Sequence, residues 1–477
     1  MHAIKLFNTL GRSAQVFEPI QPGKIGFYGC GPTVYNYAHI GNLRTYVFED
    51  LLVRSLRRFG YDVTHVMNIT DVGHLSGDDD TGEDKMVRSA KERGESVLQI
   101  AQFYTDAFFL DTTRLGIARP TIVCKATEHV ADMIALIQRI EANGFTYMSG
   151  GNLYFDVTKF PKYGELANLR MDDLKAGARI EVDENKKNPH DFVLWFTKSK
   201  FENQALVWDS PWGVGYPGWH IECSAMSMKY LGESFDIHAG GIDHVPVHHT
   251  NEIAQSESAT GKKWVNYWIH AEFLIQDKGK MSKSKGGFIT LQSLVDAGFD
   301  PLDYRYFCLG GHYRSQLTFS WEAMEQAKAS RKALADKILD LRDRAGGQVL
   351  PAVSSLGQAA AERLARFDDA LADDLAAPRA LAELWQLVRD PQAPAADALA
   401  AALEMDGVLG LGLAAARRGE ASVDAETVGR IEALIASRVA AKKAKNWAEA
   451  DAIRDQLKEM GITLEDSPSG TAWKKLS

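Results

Sequence analysis

Between Lys24 and Ile69 a buried strand, a long helix and a second strand follow one another, and this order constrains the fold more than any other feature. Lys24-Ile25-Gly26-Phe27-Tyr28 reads as a short buried strand. From about Asn42 to Phe59, Val47, Phe48, Leu51, Leu52 and Leu56 recur at the steps that line one helix face. Gly60 supplies a left-handed terminator, and Tyr61 to Ile69 alternates as the second strand. Strand, helix and strand make a βαβ unit, whose crossover is right-handed.

At the strand-to-helix turn stands His39-Ile40-Gly41-Asn42. A helix N-terminus favours phosphate through its free backbone N–H groups and its dipole. Gly41 lets a nucleotide approach the backbone, while His39 and Asn42 offer donors to phosphate oxygens. A histidine at a helix start also serves as a simple cap, so the tetrapeptide alone leaves both readings open. Much later comes Gly279-Lys280-Met281-Ser282-Lys283-Ser284-Lys285-Gly286-Gly287. Two lysines three residues apart, flanked by glycines and serines, read as a mobile cationic loop that can close on a triphosphate and neutralise departing pyrophosphate. A solvated lysine-rich loop is the plainer alternative.

Four further residues suit a metal. His248 and Glu252 are four residues apart, which puts both side chains on one helix face. Cys30 ends the first apolar run, and Cys223 lies in Gly218-Trp219-His220-Ile221-Glu222-Cys223-Ser224-Ala225-Met226. Two thiolates, an imidazole and a carboxylate form a tetrahedral zinc set. Ligands so widely spread cannot make a compact finger, so such a metal would join distant parts of one folded domain. Two buried cysteines and a helical surface pair would leave the same sequence pattern.

Taken together, the motifs resemble a known family. Lys280-Met281-Ser282-Lys283-Ser284 is similar to the second signature of class I aminoacyl-tRNA synthetases, and His39-Ile40-Gly41-Asn42 resembles the first, which usually ends in histidine. Asn42 keeps a neutral hydrogen-bond donor and loses a possible positive charge. Within class I, Asn188 to Trp195, Trp208 to Gly213, Pro217 to Met226, Phe235 to His238 and Asn251 to Gln255 resemble cysteinyl-tRNA synthetases. The likeness runs from Leu6-Phe7-Asn8-Thr9 to Gly470-Thr471-Ala472-Trp473.

The resemblance implies an α/β fold: a Rossmann-like open parallel-sheet catalytic domain with an insert, then a helical bundle and a small C-terminal anticodon-binding module. It divides the chain into a first catalytic half at 1–115, a connective insert at 116–206 and a second catalytic half with the lysine loop at 207–287. A stem-contact region at 288–320, a tRNA-binding bundle at 321–413 and an anticodon-binding extension at 414–477 follow. The residues agree locally. A helix pattern runs from Glu128 to Asn143, Gly150-Gly151-Asn152 reads as a hairpin turn, and from Trp321 the sequence turns alanine-rich with helical periodicity through Leu334, Ile338 and Leu341. The acidic run from Gly77 to Asp84 reads as a solvated loop, because its carboxylates lack a fixed frame.

Composition sets limits. Hydrophobic content of 45% and charged content of 25% exclude a disordered chain, and no apolar run approaches the length of a membrane span. The N-terminus lacks a signal-peptide pattern. Four cysteines in 477 residues suit a reducing compartment, and the expected location is cytoplasmic. Cys124 and Cys308 have no motif and read as buried core thiols. A net charge of −9 argues against indiscriminate nucleic-acid binding, although local basic patches decide RNA contact.

The resemblance further implies cysteine–tRNA ligase chemistry, with one Zn2+ per chain, Mg2+ entering with ATP, and ATP, L-cysteine and the tRNA for cysteine as partners of a monomer. His39, Lys280 and Lys283 are the expected catalytic groups, and Gly41, Asn42 and Asp243 complete the ATP site, with Asp243 accepting from the ribose hydroxyls. Thr70 and Trp219 are expected walls for the amino acid. Lys442, Trp447, Asp451 and Asp466 are candidates for the anticodon, beside Lys443, Lys445 and Trp473. Two other functions fit parts of the pattern: a cysteine ligase acting on an amino-sugar acceptor, and a non-enzymatic RNA-binding relative. The helical bundle and basic tail argue against the first, and the intact metal set and lysine loop against the second.

Overall fold

The computed structural model describes residues 3–72, 96–169, 184–198, 206–276, 279–280, 288–417, 446–460, 462–467 and 470–475, together with 431, 434–435, 437–439 and 441–442. Lys283, the acidic run from Gly77 to Asp84, Lys443 and Lys445 lie outside the described residues.

A hairpin of β1 (Lys5–Asn8) and β2 (Ser13–Val16) leads into β3 (Lys24–Gly29), α1 (Ile40–Arg58) and β4 (Asp62–Ile69), the βαβ unit read from the sequence. Then come α2 (Val97–Arg114), β5 (Ile122–Lys125) and α3 (Val130–Ala142). An antiparallel sheet of β6 (Thr146–Ser149), β7 (Asn152–Phe155), β8 (Phe192–Phe196) and β9 (Tyr216–Pro217) intervenes. The parallel sheet resumes with α4 (Ile221–Leu231), β10 (Phe235–Gly241), α5 (His248–Thr260) and β11 (Val265–Ala271).

The strand order of the main sheet is β11-β10-β3-β4-β5, and every neighbouring pair is parallel. From β3 the chain winds one way through β4 and β5; from β10 it winds the other way to β11. The carboxyl ends of β3 and β10 therefore flank a topological switch point, where open α/β sheets bind ligands. Both faces of the sheet are covered, which explains its nearly continuous burial. Ile25 and Phe27 of β3 pack with Val47, Leu51 and Leu52 of α1, whereas Tyr28 and Cys30 join a second core with Cys223, Trp264 and Trp268.

Two boundaries differ from the sequence reading. Residues 122–125, expected in the insert, form the edge strand of the parallel sheet, paired with β4. The short apolar run Ile122-Val123-Cys124 carries no periodicity that could tell one sheet from another. The insert's own sheet extends beyond 206, because Pro217 and Tyr216 pair with Trp195 and Phe196. The hairpin turn at Gly150 and Gly151 is present, with φ of 57° and 95°, the left-handed conformation that a two-residue turn between β6 and β7 requires.

Beyond β11, β12 (Leu274–Gln276) and β13 (Gly279–Lys280) form an antiparallel pair, followed by α6 (Leu291–Asp296), α7 (Pro301–Leu309) and β14 (Leu317–Phe319), which pairs with β12 in parallel. Four helices then make the bundle: α8 (Trp321–Ala345), α9 (Gln358–Ala372), α10 (Ala377–Leu387) and α11 (Ala395–Leu409). Leu334, Ile338 and Leu341 are buried in a core continuous with that of α1. Arg305 fastens the joint. Fully buried, it donates to Asp50 of α1 at 2.6 Å, to the Leu409 carbonyl at 2.6 Å and to the Leu115 carbonyl at 3.1 Å. At the C-terminus, α12 (Trp447–Glu459) precedes a hairpin of β15 (Ile462–Ser467) and β16 (Gly470–Lys475), with Ile431, Leu457 and Ile462 as their small core. Among the described residues, no helix is long and apolar enough to cross a membrane.

Candidate active site

Cys30 follows β3 directly, and its backbone N–H donates to the Ala239 carbonyl of β10 at 3.1 Å. Its neighbour must be glycine, since a Cβ on Gly31 would lie 1.6 Å from the Asn68 carbonyl oxygen. Cys223 sits in the first turn of α4, and His248 and Glu252 occupy successive turns of α5. The four ligand atoms of Cys30, Cys223, His248 and Glu252 all lie within 4.8 Å of one another. Residues separated by more than 200 positions thus meet at the switch point of the sheet.

The surroundings orient these groups as a metal site requires. His248 turns Nδ1 toward His220 Nδ1 at 2.8 Å, which leaves Nε2 to face the cluster. Glu252 Oε2 accepts from His238 Nε2 at 2.7 Å. The wholly buried Glu252 Oε1 lies 2.7 Å from His248 Nε2, an ion pair when the imidazole is protonated. Two donor atoms this close on one helix face could together hold a cation in place of the proton between them. A second group, Cys30, His238, His249 and Glu252, also lies within 4.8 Å. It offers one thiol instead of two, and its imidazoles are already bonded to Glu252 and Cys30.

The electrostatics agree. Burial opposes ionisation of Cys30, but its hydrogen bond with Cys223 and the nearby His249 and His238 outweigh that cost and hold its thiol well below the usual range. Burial and the Cys30 thiolate push Cys223 up. Against the cost of burial, His248, His238 and His249 pull Glu252 down to about 2. A divalent cation would allow both thiols to ionise together.

Beneath the cluster runs a chain of imidazoles that the motifs did not announce. Cys30 Sγ contacts His249 Nε2 at 3.3 Å, His249 Nδ1 meets His270 Nε2 at 2.8 Å, and His270 Nδ1 meets Thr9 Oγ1 at 2.7 Å. Burial lowers His249 to about 4 and takes His270 well below the ordinary value, so both are neutral near pH 7. One signal was available: of 13 histidines, His220, His238, His244, His248, His249 and His270 fall within one short stretch.

The first signature forms the start of α1. His39 is the N-cap: its Nδ1 accepts from the Asn42 N–H at 3.1 Å, and its own N–H donates to Asn42 Oδ1 at 3.4 Å. A Cβ on Gly41 would lie 2.9 Å from the His39 ring, so glycine admits this capping box. Residues 288–290 return to the same turn, where the Ile40 N–H donates to the Ile289 carbonyl at 2.9 Å and Phe288 packs edge-on against His39. The backbone of Lys280 pairs with Ile275 in the β12–β13 hairpin. Asp243 lies in the exposed turn just after β10, across the switch point from α1.

Thr70 directly follows β4 and donates its hydroxyl proton to Glu222 Oε1 at 2.7 Å. Burial raises Glu222 to about 8. Trp219 is half-buried and packs edge-on against Trp208, adjoining the second core rather than lying inside it. In the C-terminal module, Trp447 is 61% exposed at the start of α12, Asp451 pairs with Arg454 at 3.1 Å, and Lys442 is half-buried. The backbone of Asp466 pairs with Thr471 across the final hairpin.

Known proteins share this plan. The family model described as the tRNA synthetases class I (C) catalytic domain matches residues 16–329, and that described as the cysteinyl-tRNA ligase anticodon binding domain matches residues 424–473. A cysteine–tRNA ligase of Treponema denticola is 60% identical, over 99% of this chain and 100% of its own length. A Burkholderia lata cysteine–tRNA ligase is 48% identical, over 98% of this chain and 96% of its own. Among solved structures, a Mycobacterium tuberculosis methionyl-tRNA synthetase with methionyl-adenylate superposes with a TM-score of 0.57 at 17% identity, covering 82% of this chain and 92% of that one, a likeness of fold. With a full-length relative at such identity and both family models matched in order, the chain belongs to the cysteinyl-tRNA synthetases, within the class I aminoacyl-tRNA synthetases.

Proposed function

We propose that the chain activates L-cysteine with ATP, releasing pyrophosphate, and passes the cysteinyl group to the 3′-terminal ribose of its tRNA. The observation that carries this reading is the convergence of Cys30, Cys223, His248 and Glu252 where β3 and β10 meet. A zinc ion held by these four would supply a soft Lewis acid that prefers a thiolate to a hydroxyl. Its donor set, with two thiolates, suits zinc better than a harder cation.

The remaining work is positioning and charge neutralisation. His39 and Asn42 donate to the phosphates and Gly41 admits the nucleotide, while Asp243 accepts from the ribose hydroxyls. Lys280 and Lys283 neutralise the charge that develops on the departing pyrophosphate, with Mg2+ entering alongside ATP. Thr70 and Trp219 wall the amino acid. Thr70 gives its only proton to Glu222 and accepts from the Asn68 Nδ2 amide at 3.2 Å, which leaves one lone pair for a donor such as an ammonium. In the C-terminal module, exposed Trp447 is free to stack on a base, and Lys442, Asp451 and Asp466 complete the anticodon reading.

The anticodon-domain match over 424–473 speaks against an amino-sugar acceptor, and the assembled ligand set speaks against a non-catalytic RNA binder. The proposal includes a monomer working in the cytoplasm, where its tRNA is found; light scattering tests the first part. Charging assays with total tRNA and each amino acid supplied separately test the function. Cysteine alone should be attached; attachment of another amino acid, or of none, would refute it.

A further inference from the structure

Arg44 lies one turn into α1 and is 3% exposed. Its guanidinium meets four backbone carbonyls: Nη1 donates to Glu272 at 2.7 Å and Phe273 at 2.6 Å, and Nη2 to His312 at 3.2 Å and Ser315 at 2.6 Å. The first pair immediately precedes β12 and the second precedes β14, the two strands that pair in parallel. These turns are also joined to each other, since the Glu272 N–H donates to the Tyr313 carbonyl at 2.8 Å and the Leu317 N–H to the Phe273 carbonyl at 3.1 Å. Arg44 ties that joined unit to α1. The chain returns to α1 at Ile289, whose carbonyl accepts from the Ile40 N–H at 2.9 Å. The outgoing and incoming ends are thus both fixed to the first two turns of the helix that carries His39, Gly41 and Asn42.

We propose that Arg44 is a positioning residue for adenylate formation, holding β12 and β13, and with them the Lys280 backbone, in register with the nucleotide-binding turn of α1. The proposal rests on the reading of His39, Asn42 and Lys280 given above. A planar fork is needed because the carbonyls lie in two separate turns: one terminal nitrogen serves each turn, and a lysine's single nitrogen can serve only one. Fine placement is what this chemistry requires, and displacement by about 1 Å costs on the order of a hundredfold in rate.

The test is pyrophosphate exchange by the full chain, comparing wild type, Arg44→Lys and Arg44→Met. Arg44→Lys keeps the charge and one pair of bonds. It should fold, retain its metal and keep its KM for cysteine within about twofold, yet lose about tenfold to a hundredfold in kcat with ATP saturating. Arg44→Met should show the same selective loss, larger than that of the lysine variant. Three results would overturn the proposal: wild-type kcat in folded Arg44→Lys, parallel loss of cysteine and ATP parameters, or failure of Arg44→Lys to fold, which would make Arg44 a stability element only. A wild-type chain that catalyses no cysteine-dependent exchange would instead refute the underlying function, so the two failures are distinguishable.

Discussion

His220 and His248 face each other through their Nδ1 atoms at 2.8 Å. If His248 binds a metal through Nε2, it must carry its proton on Nδ1 and donate it to His220, which then holds its own proton on Nε2. One hydrogen bond therefore fixes the tautomer and the ring orientation of the ligand. Partners of this kind typically contribute tenfold to a hundredfold to metal affinity, so His220→Phe should weaken zinc binding by about that factor. Competition with a chromophoric chelator measures it. Unchanged affinity would show that the orientation of His248 is set elsewhere.

Lys283→Ala should depress pyrophosphate exchange by a factor corresponding to about 3–4 kcal/mol, because a cation aimed at developing charge is worth that much. Zinc content and the melting temperature should hardly change. Wild-type exchange in this variant would refute the role. Asn42→His restores the usual family residue, and a faster enzyme would show that asparagine is tolerated rather than required.

Glu49 and His65 converge behind Gly29 on the face of the sheet away from Cys30. A Cβ on Gly29 would lie 2.7 Å from Glu49 Oε2 and 3.3 Å from His65 Nε2, and neither side chain atom has a hydrogen-bond partner among the described residues. Burial, with a contribution from Cys30, raises Glu49 well above the usual carboxylate range. Burial, aided by Arg57, lowers His65 to about 3. For Glu49 the folded state holds its proton more tightly, so this stabilisation is full below the usual carboxylate value near 4.5 and is lost as pH rises. For His65 the sign reverses: stabilisation is full above about 6.5 and is lost as pH falls toward 3. Glu49→Gln should therefore gain on wild type as pH rises from about 5 to 8, read from urea midpoints. Parallel pH curves would contradict the assignment.

Much of the site was legible because its chemistry is local in sequence. His248 and Glu252 share a helix face, and the α1 turn is announced by the strand and helix around it. Cys30 and Cys223 were candidates by residue type alone, since nothing in their spacing brings β3 to α4. Arg44, Glu49, His65, His249 and His270 were not legible. Their partners lie on other elements, as with Gly240 opposite His270 across β10 and β11, and such pairings depend on sheet order and register. The edge strand at 122–125 was misplaced for the same reason: a four-residue apolar run does not say which sheet it joins.

Selection of cysteine over serine should need no separate hydrolytic domain. A hydrophobic pocket distinguishes such near-isosteres by only about a hundredfold. Discrimination of about ten-thousandfold needs roughly 5.5 kcal/mol. Coordination can supply the difference, because a thiolate is a far better soft ligand than a neutral hydroxyl. Mischarging assays should therefore find serine attached to tRNA at less than about one part in a thousand at equal concentrations. Substantial serine attachment would contradict the claim.

The most direct measurement of the central claim is X-ray absorption at the zinc edge of the purified chain, alone and with each amino acid. The account predicts about one zinc per chain bound by two sulfurs, a third sulfur when cysteine is added, and no change with serine. A coordination shell that ignores cysteine while selectivity persists would make the metal structural and this account of specificity wrong.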